Sequence, residues 1–263
     1  MTNLPDTRIA AILYTLRDYC QTESDLDKTL DRLCGIGYQA VQVSGCPLEA
    51  EVIRRQLDKH GVFCCGTHIG FDKLTGNLQP LIDYQRALGC DFAATGGPPE
   101  EWRGTAERVQ ATVDLFNRVA PELKAAGIRL AYHNHHFEFR KLEGLGGKTV
   151  LDYFYANTDP ETVCGEIDTH WVVRGGTDPV GWIKRLAGRM PVIHFKDFTV
   201  MEDNTPAYCE IGMGNLDWPA IVAACEETGV RWYSIEQDNP FPGRDIFDSL
   251  KLSFDYLRSI GVH

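Results

Sequence analysis

Eight times along this chain a short, β-rich apolar run gives way to a longer amphipathic one, and no other feature narrows the fold as much. The apolar runs are Ile9–Leu16, Ala40–Ser44, Val62–His68, Phe92–Thr95, Ile128–His133, Val163–Asp168, Val192–Lys196 and Trp232–Glu236. Strands that are apolar throughout are buried on both faces, so they predict a parallel sheet covered by helices. At 263 residues the closed form of such an α/β fold is a (β/α)8 TIM barrel. The open doubly wound sheet is the runner-up. Its phosphate-cradling signatures are missing, because no strand leads into G-x-G-x-x-G or G-x-x-x-x-G-K-[ST]. With no linker or composition break, residues 1–263 are expected to form a single domain.

The helical patterns are Leu26–Leu33, Glu49–His60, Leu78–Leu88, Thr105–Ala126, Val150–Ala156, Asp178–Ala187, Pro219–Thr228 and Phe247–Ile260. Six of them stop close to a glycine, at Gly35, Gly61, Gly89, Gly127, Gly229 and Gly261, as left-handed C-caps would. The weakest stretch for any regular structure is the glycine-rich Lys141–Lys148.

No apolar run approaches the length of a membrane helix, and MTNLPDTRIA lacks the basic start of a signal peptide. The nine cysteines are odd in number and scattered, with Cys64-Cys65 adjacent and no C-x-x-C pair. Neither a disulfide framework nor a cysteine zinc site is expected, which fits a reducing cytoplasm. A net charge of −11 repels a polyanion, so nucleic acid is not an expected partner, and neither is a membrane.

Chemistry in such a barrel is built at the C-terminal ends of the strands. There the sequence places Thr67-His68, His133-Asn134-His135, Glu166-Ile167-Asp168-Thr169-His170, His194-Phe195-Lys196-Asp197 and Glu236-Gln237-Asp238. Six of the eight histidines, His68, His133, His135, His136, His170 and His194, fall at or just beyond these ends. Oxygen and nitrogen donors from several strands make a mixed site for one divalent cation, Mn²⁺, Mg²⁺, Co²⁺ or Zn²⁺. Such an ion polarises a carbonyl or hydroxyl, and a nearby carboxylate or imidazole moves the proton. Taken singly, each residue has an ordinary role: His68 as a hydrogen-bonded structural group, Asp168 as a loop cap, Lys196-Asp197 as a local ion pair, Trp171 as packing. Cys64-Cys65 suits core filling, and His136 suits solvent or loop packing.

Five motifs together, Y-H-N-H-x-F-E-F at 132–139, I-D-T-H-W at 167–171, H-F-K-D at 194–197, E-I-G-M-G-N-L-D-W at 210–218 and S-I-E-Q-D at 234–238, resemble the sugar phosphate isomerase/epimerase family of xylose isomerase-like TIM barrels. The resemblance runs over nearly the whole chain. It implies one catalytic metal held by Glu, Asp, His and Glu from the ends of strands five to eight, here Asp168, His194 and Glu236 for the last three. For the first, Glu138 reaching back is the preferred ligand and His133 the fallback, since the family's glutamate position carries His133. That departure makes His133 or His135 a candidate base beside Glu236 and Glu138. His170 resembles a histidine that touches substrate oxygens, and His68, Lys196, Glu210 and Trp171 are further expected substrate contacts.

The expected activity is isomerisation or epimerisation of a sugar or related polyol, by proton abstraction next to a metal-bound carbonyl or hydroxyl. Loss of a β-substituent after the same abstraction gives the alternative, a dehydratase or lyase on a keto-sugar or keto-inositol. A non-catalytic carbohydrate- or metal-binding barrel is the reading of another class. The superfamily's abasic-DNA endonuclease branch, with three zinc ions, is opposed by the acidic charge. Pairing of copies through exposed helix faces is a further expectation from the resemblance.

Overall fold

The computed structural model describes residues 5–263. Among the described residues ten strands follow in chain order: β1 (Ile9–Ile12), β2 (Ala40–Val43), β3 (Phe63–His68), β4 (Phe92–Gly96), β5 (Arg129–His133), β6 (Val163–Glu166), β7 (Val192–Phe195), β8 (Asp197–Val200), β9 (Pro206–Cys209) and β10 (Trp232–Ile235). Eight of them pair in parallel in the order β6-β5-β4-β3-β2-β1-β10-β7. An isolated parallel bridge, Asp168 to His194, joins the two outer strands, with the His194 N–H donating to the Ile167 carbonyl at 2.9 Å. The chain is therefore a nearly closed (β/α)8 barrel, as the alternation of its apolar runs requires.

The helices are α1 (Glu23–Ile36), α2 (Ala50–His60), α3 (Gln79–Leu88), α4 (Ala106–Ala125), α5 (Val150–Asn157), α6 (Thr169–Arg174), α7 (Pro179–Arg185), α8 (Trp218–Thr228) and α9 (Ile246–Ser259). Local chemistry sets their ends. Thr22 and Thr105 cap α1 and α4 with side-chain oxygens, and Thr149 with Asp152 forms a reciprocal capping box on α5. Gly61, Gly89 and Gly229 close α2, α3 and α8 in the left-handed conformation. α1 runs past Gly35, which was expected to end it. Gly37, at φ 123°, takes that place, its N–H donating to Leu33 and Cys34.

Three further departures are local. The first apolar run is β only to Ile12, after which Leu13–Tyr19 coils into 3-10 turns. α6 and the antiparallel hairpin β8–β9 are additions, both lying beyond strand ends where short polar segments hide their period.

Side chains alternate along each strand, so inward positions recur every second residue. Ala10, Ala40, Cys65, Phe92, Ala94, Ala131, Val192 and Trp232 form an apolar floor inside the barrel, separate from the larger core between sheet and helices. Cys64 and Cys65 are both buried, one on each side of the sheet. Two residues on from Ala131, Cys164, Val192 and Trp232, the same inward period delivers His133, Glu166, His194 and Ser234. The polar site is thus stacked directly on a dry floor.

Candidate metal centre and active site

His194, at the inner face of β7, is the centre of the arrangement and is fully buried. Its Nδ1 lies 2.7 Å from Glu236 Oε2, and its Nε2 lies 2.9 Å from Gln42 Oε1 and 3.3 Å from Glu166 Oε2. The Glu166 carboxylate also accepts from Gln42 Nε2 at 2.6 Å and pairs with His68, while His133 Nδ1 stands 3.3 Å away. The rings of His68, His133 and His194 lie within 5.0 Å of one another, centroid to centroid.

Burial would deprotonate His194, but Glu166 and Glu236 outweigh it and push the imidazolium up to about 10. Burial would likewise raise Glu166 and Glu236. Instead His194 and His68 hold Glu166, and Lys196 and His194 hold Glu236, well below the usual carboxylate range. Two buried anions therefore pull a positive charge into one spot. A potential that traps a proton there also attracts a cation.

Asp168 supplies the clearest sign of what that cation is. Its backbone N–H donates to Asn134 Oδ1 at 3.1 Å, and its Oδ1 accepts from Trp171 N at 3.0 Å, capping α6. Its Oδ2 is buried with no hydrogen-bond partner. Burial raises this carboxyl to about 8 against the pull of Lys196, whose Nζ is 3.8 Å off. One donor atom each from His133, Asp168, His194 and Glu236 lies within 4.8 Å of the others, and so do donors from His68, His133, Glu166 and His194. An orphaned carboxylate oxygen amid two imidazoles and a second carboxylate fits a divalent cation.

Above these residues opens a cavity of about 500 Å³. His68, His133, His135, Trp171, Lys196, Glu236 and Asp238 line it, with the Trp171 ring 5.6 Å from that of His135. Lys196 is buried, its Nζ 2.8 Å from Asp238 Oδ2, 3.5 Å from Glu236 Oε1 and 4.8 Å from the Trp171 ring centre. Burial opposes its charge, but Glu236 and Asp168 raise it above the ordinary lysine value. Burial lowers His135 to about 4 and His170 to about 3, so both are neutral imidazoles at neutral pH. His170 sits behind the cavity wall against Trp171, Phe198 and Tyr208, with neither ring nitrogen bonded. His136 is exposed.

Besides His170, two expected site residues lie outside the cavity and the cluster. Glu138, on the 3-10 turn Phe137–Phe139, does not reach back to the cluster. Its Oε1 accepts from Tyr132 Oη and its Oε2 from His135 N, both at 2.9 Å, because that turn directs the side chain behind β5. The fallback, His133, stands in the cluster. Glu210 is not beside the cavity either: it accepts from Ser249 Oγ at 2.6 Å and pairs with Arg244 at 2.5 Å, tying the long loop to α9. Conversely, Gln42 and Tyr208 were not foreseen, and Glu166 and Asp238 were placed at strand ends without an assigned role. The period of two back from Asp168 was the available signal for Glu166. Gly96 belongs here too, since a Cβ on it would lie 3.1 Å from His133 and 3.3 Å from His135.

The family model for the xylose isomerase-like TIM barrel matches residues 30–259. The chain belongs to that family. This xylose isomerase-like barrel is 24% identical over 210 residues to an inosose dehydratase of Mesomycoplasma hyopneumoniae (strain 7448), covering 72% of this chain and 68% of that one. It superimposes on a sugar phosphate isomerase/epimerase from Parabacteroides distasonis with a TM-score of 0.81 at 23% identity, covering 100% and 98% of the two chains. An L-ribulose 3-epimerase matches with a TM-score of 0.74 at 18% identity, covering 97% and 94%. Among the described residues, no helix of this barrel is long and apolar enough to cross a membrane.

Proposed function

We propose that the chain is a divalent-metal-dependent dehydratase of a small polyhydroxylated ketone, a keto-inositol or keto-sugar. The observation that carries the choice of elimination over epimerisation is the position of Glu138. A two-carboxylate epimerase needs an acid at the end of β5 facing Glu236. Here that place holds His133 and His135, while Glu138 is turned behind the strand. The name of the relative similar over 210 residues, an inosose dehydratase, supports the same choice.

When bound at His133, Asp168, His194 and Glu236, the metal supplies Lewis acidity that polarises the ketone and favours its enolate. The chain's own groups do the rest. His135, a neutral imidazole on the cavity wall, takes the proton from the carbon beside the carbonyl. The C–H electron pair becomes the new double bond as the neighbouring C–O bond breaks. His68, paired with Glu166 and also lining the cavity, is placed to return a proton so that hydroxide leaves as water. The Lys196 ammonium, held by Asp238 and Glu236, faces the oxygen that gains charge. Trp171 offers an apolar face for the carbon ring.

Epimerisation or isomerisation is the second reading, favoured by Glu236 and His135 lining the cavity from different strands. Incubation with a 2-keto-inositol and a set of ketoses in ²H₂O, in the presence of Mn²⁺, separates the two. Loss of one water by mass establishes the dehydratase. Deuterium at one carbon without that loss establishes the epimerase. Binding without either change leaves a non-catalytic barrel.

A further inference from the structure

A second cavity, of about 550 Å³, opens outside the barrel between α4, α5 and the loop after β5. Val109, Leu151 and Phe154 line its apolar side, and Arg103, Arg108 and Arg140 stand around it. In a chain of net charge −11, three guanidinium groups at one cavity are conspicuous, and none of the three makes an ion pair with a carboxylate among the described residues. Arg108 donates to the backbone carbonyls of Glu100 and Arg103 at 3.2 and 3.3 Å, and Arg140 to that of Gly104 at 3.4 Å. These contacts fix the loop 100–104 and leave the other guanidinium donors free. Arg103 lies 4.5 Å over the Phe137 ring.

Two acids line the same cavity: Glu100, which is exposed and makes no ion pair among the described residues, and the buried Glu138. The Glu138 carboxyl already accepts from Tyr132 and His135, and burial pushes it up to about 7, so it is only partly charged at neutral pH. Guanidinium groups of this geometry pair with planar or tetrahedral oxyanions. The apolar lining adds a requirement for a carbon body.

We propose that this cavity is a second binding site, for a small organic anion that carries a phosphate or carboxylate on an apolar body. Arg103, Arg108 and Arg140 hold the anion, and Val109, Leu151 and Phe154 receive the carbon part. The occupant lies against Phe137, whose ring stacks at 5.6 Å and 8° on His135 of the active cavity. A ligand there therefore bears on the wall that the two cavities share.

Calorimetric titration of the whole protein with phenyl phosphate, benzoate and neutral benzyl alcohol tests the site. Expected are one anion per chain, binding at least tenfold weaker for benzyl alcohol, and a loss of about tenfold in each of Arg108→Gln and Arg140→Gln. Tighter phenyl phosphate assigns a phosphate ligand, and tighter benzoate a carboxylate. Lys196→Gln should leave this binding unchanged, because it alters only the barrel mouth. Binding lost in Lys196→Gln but kept in both arginine variants, or no anion bound at millimolar concentration, would overturn the proposal.

Discussion

Asp168 uses its two oxygens for different things, one on the Trp171 N–H and one unbonded beside the imidazoles. Asp168→Asn keeps an oxygen for the cap, so it should hold stability within about 1 kcal/mol while weakening metal binding at least tenfold by titration. Equal metal affinity in the variant would remove Asp168 from the ligand set. Glu138 carries a pH prediction. Burial raises its acid from an ordinary 4.5 to about 7, so the fold prefers it protonated. That contribution is complete below the unfolded value and fades as the pH rises through 7. It is worth about 3 kcal/mol by the size of the shift. Denaturant unfolding of the chain and of Glu138→Gln should therefore show the variant gaining by that order between acidic and mildly alkaline pH. A constant difference across the range would mean the carboxyl is not strained by burial. Sequence distance misplaced Glu138 because five residues after His133 says nothing about which way a 3-10 turn faces. Glu166 was within reach, since a strand's inward positions recur every second residue and Asp168 already marked the face.

The strands were legible because they are apolar on both faces, and seven of the eight end within two residues of the predicted position. The hairpin β8–β9 was not, because its polar turn, M-E-D-N-T at 201–205, masks two short strands that bury little. What holds it is Asp197. Read in the sequence as a local ion pair with Lys196, it instead accepts from the backbone N–H groups of Phe198, Gly212 and Gly214 and from Trp218 Nε1 at 2.6 to 3.1 Å. One buried carboxylate thus gathers the start of β8, the long loop and the start of α8. Asp197→Ala should cost about 3 kcal/mol, since several donors lose a charged acceptor. Amide exchange should then accelerate across 198–217 while β1–β5 stay protected. Unaltered protection in that loop would show that the hairpin stands without the aspartate.

At the scale of the whole molecule, the barrel's weakest seam lies between β6 and β7, where one isolated bridge replaces the full ladders found elsewhere. Thr169 Oγ1 spans it, donating to the carbonyls of His194 and Lys196 at 3.3 and 2.9 Å. Asp168 and His194, the two residues of that bridge, are also two of the four residues proposed to hold the metal. An ion bound there would therefore clamp the seam, and a ligand that binds only the folded state stabilises it by about 2.7 kcal/mol at a hundredfold excess over its Kd. Chelation should lower the unfolding temperature and speed amide exchange in 163–168 and 192–196 before other strands. Uniform exchange with and without the ion would place the metal away from the seam. The most direct test of the metal centre itself is elemental mass spectrometry after loading with Mn²⁺, on the unaltered chain, Asp168→Ala and His194→Ala. One ion per chain in the first and none in the two folded variants is the result expected. Equal metal in all three would contradict the site.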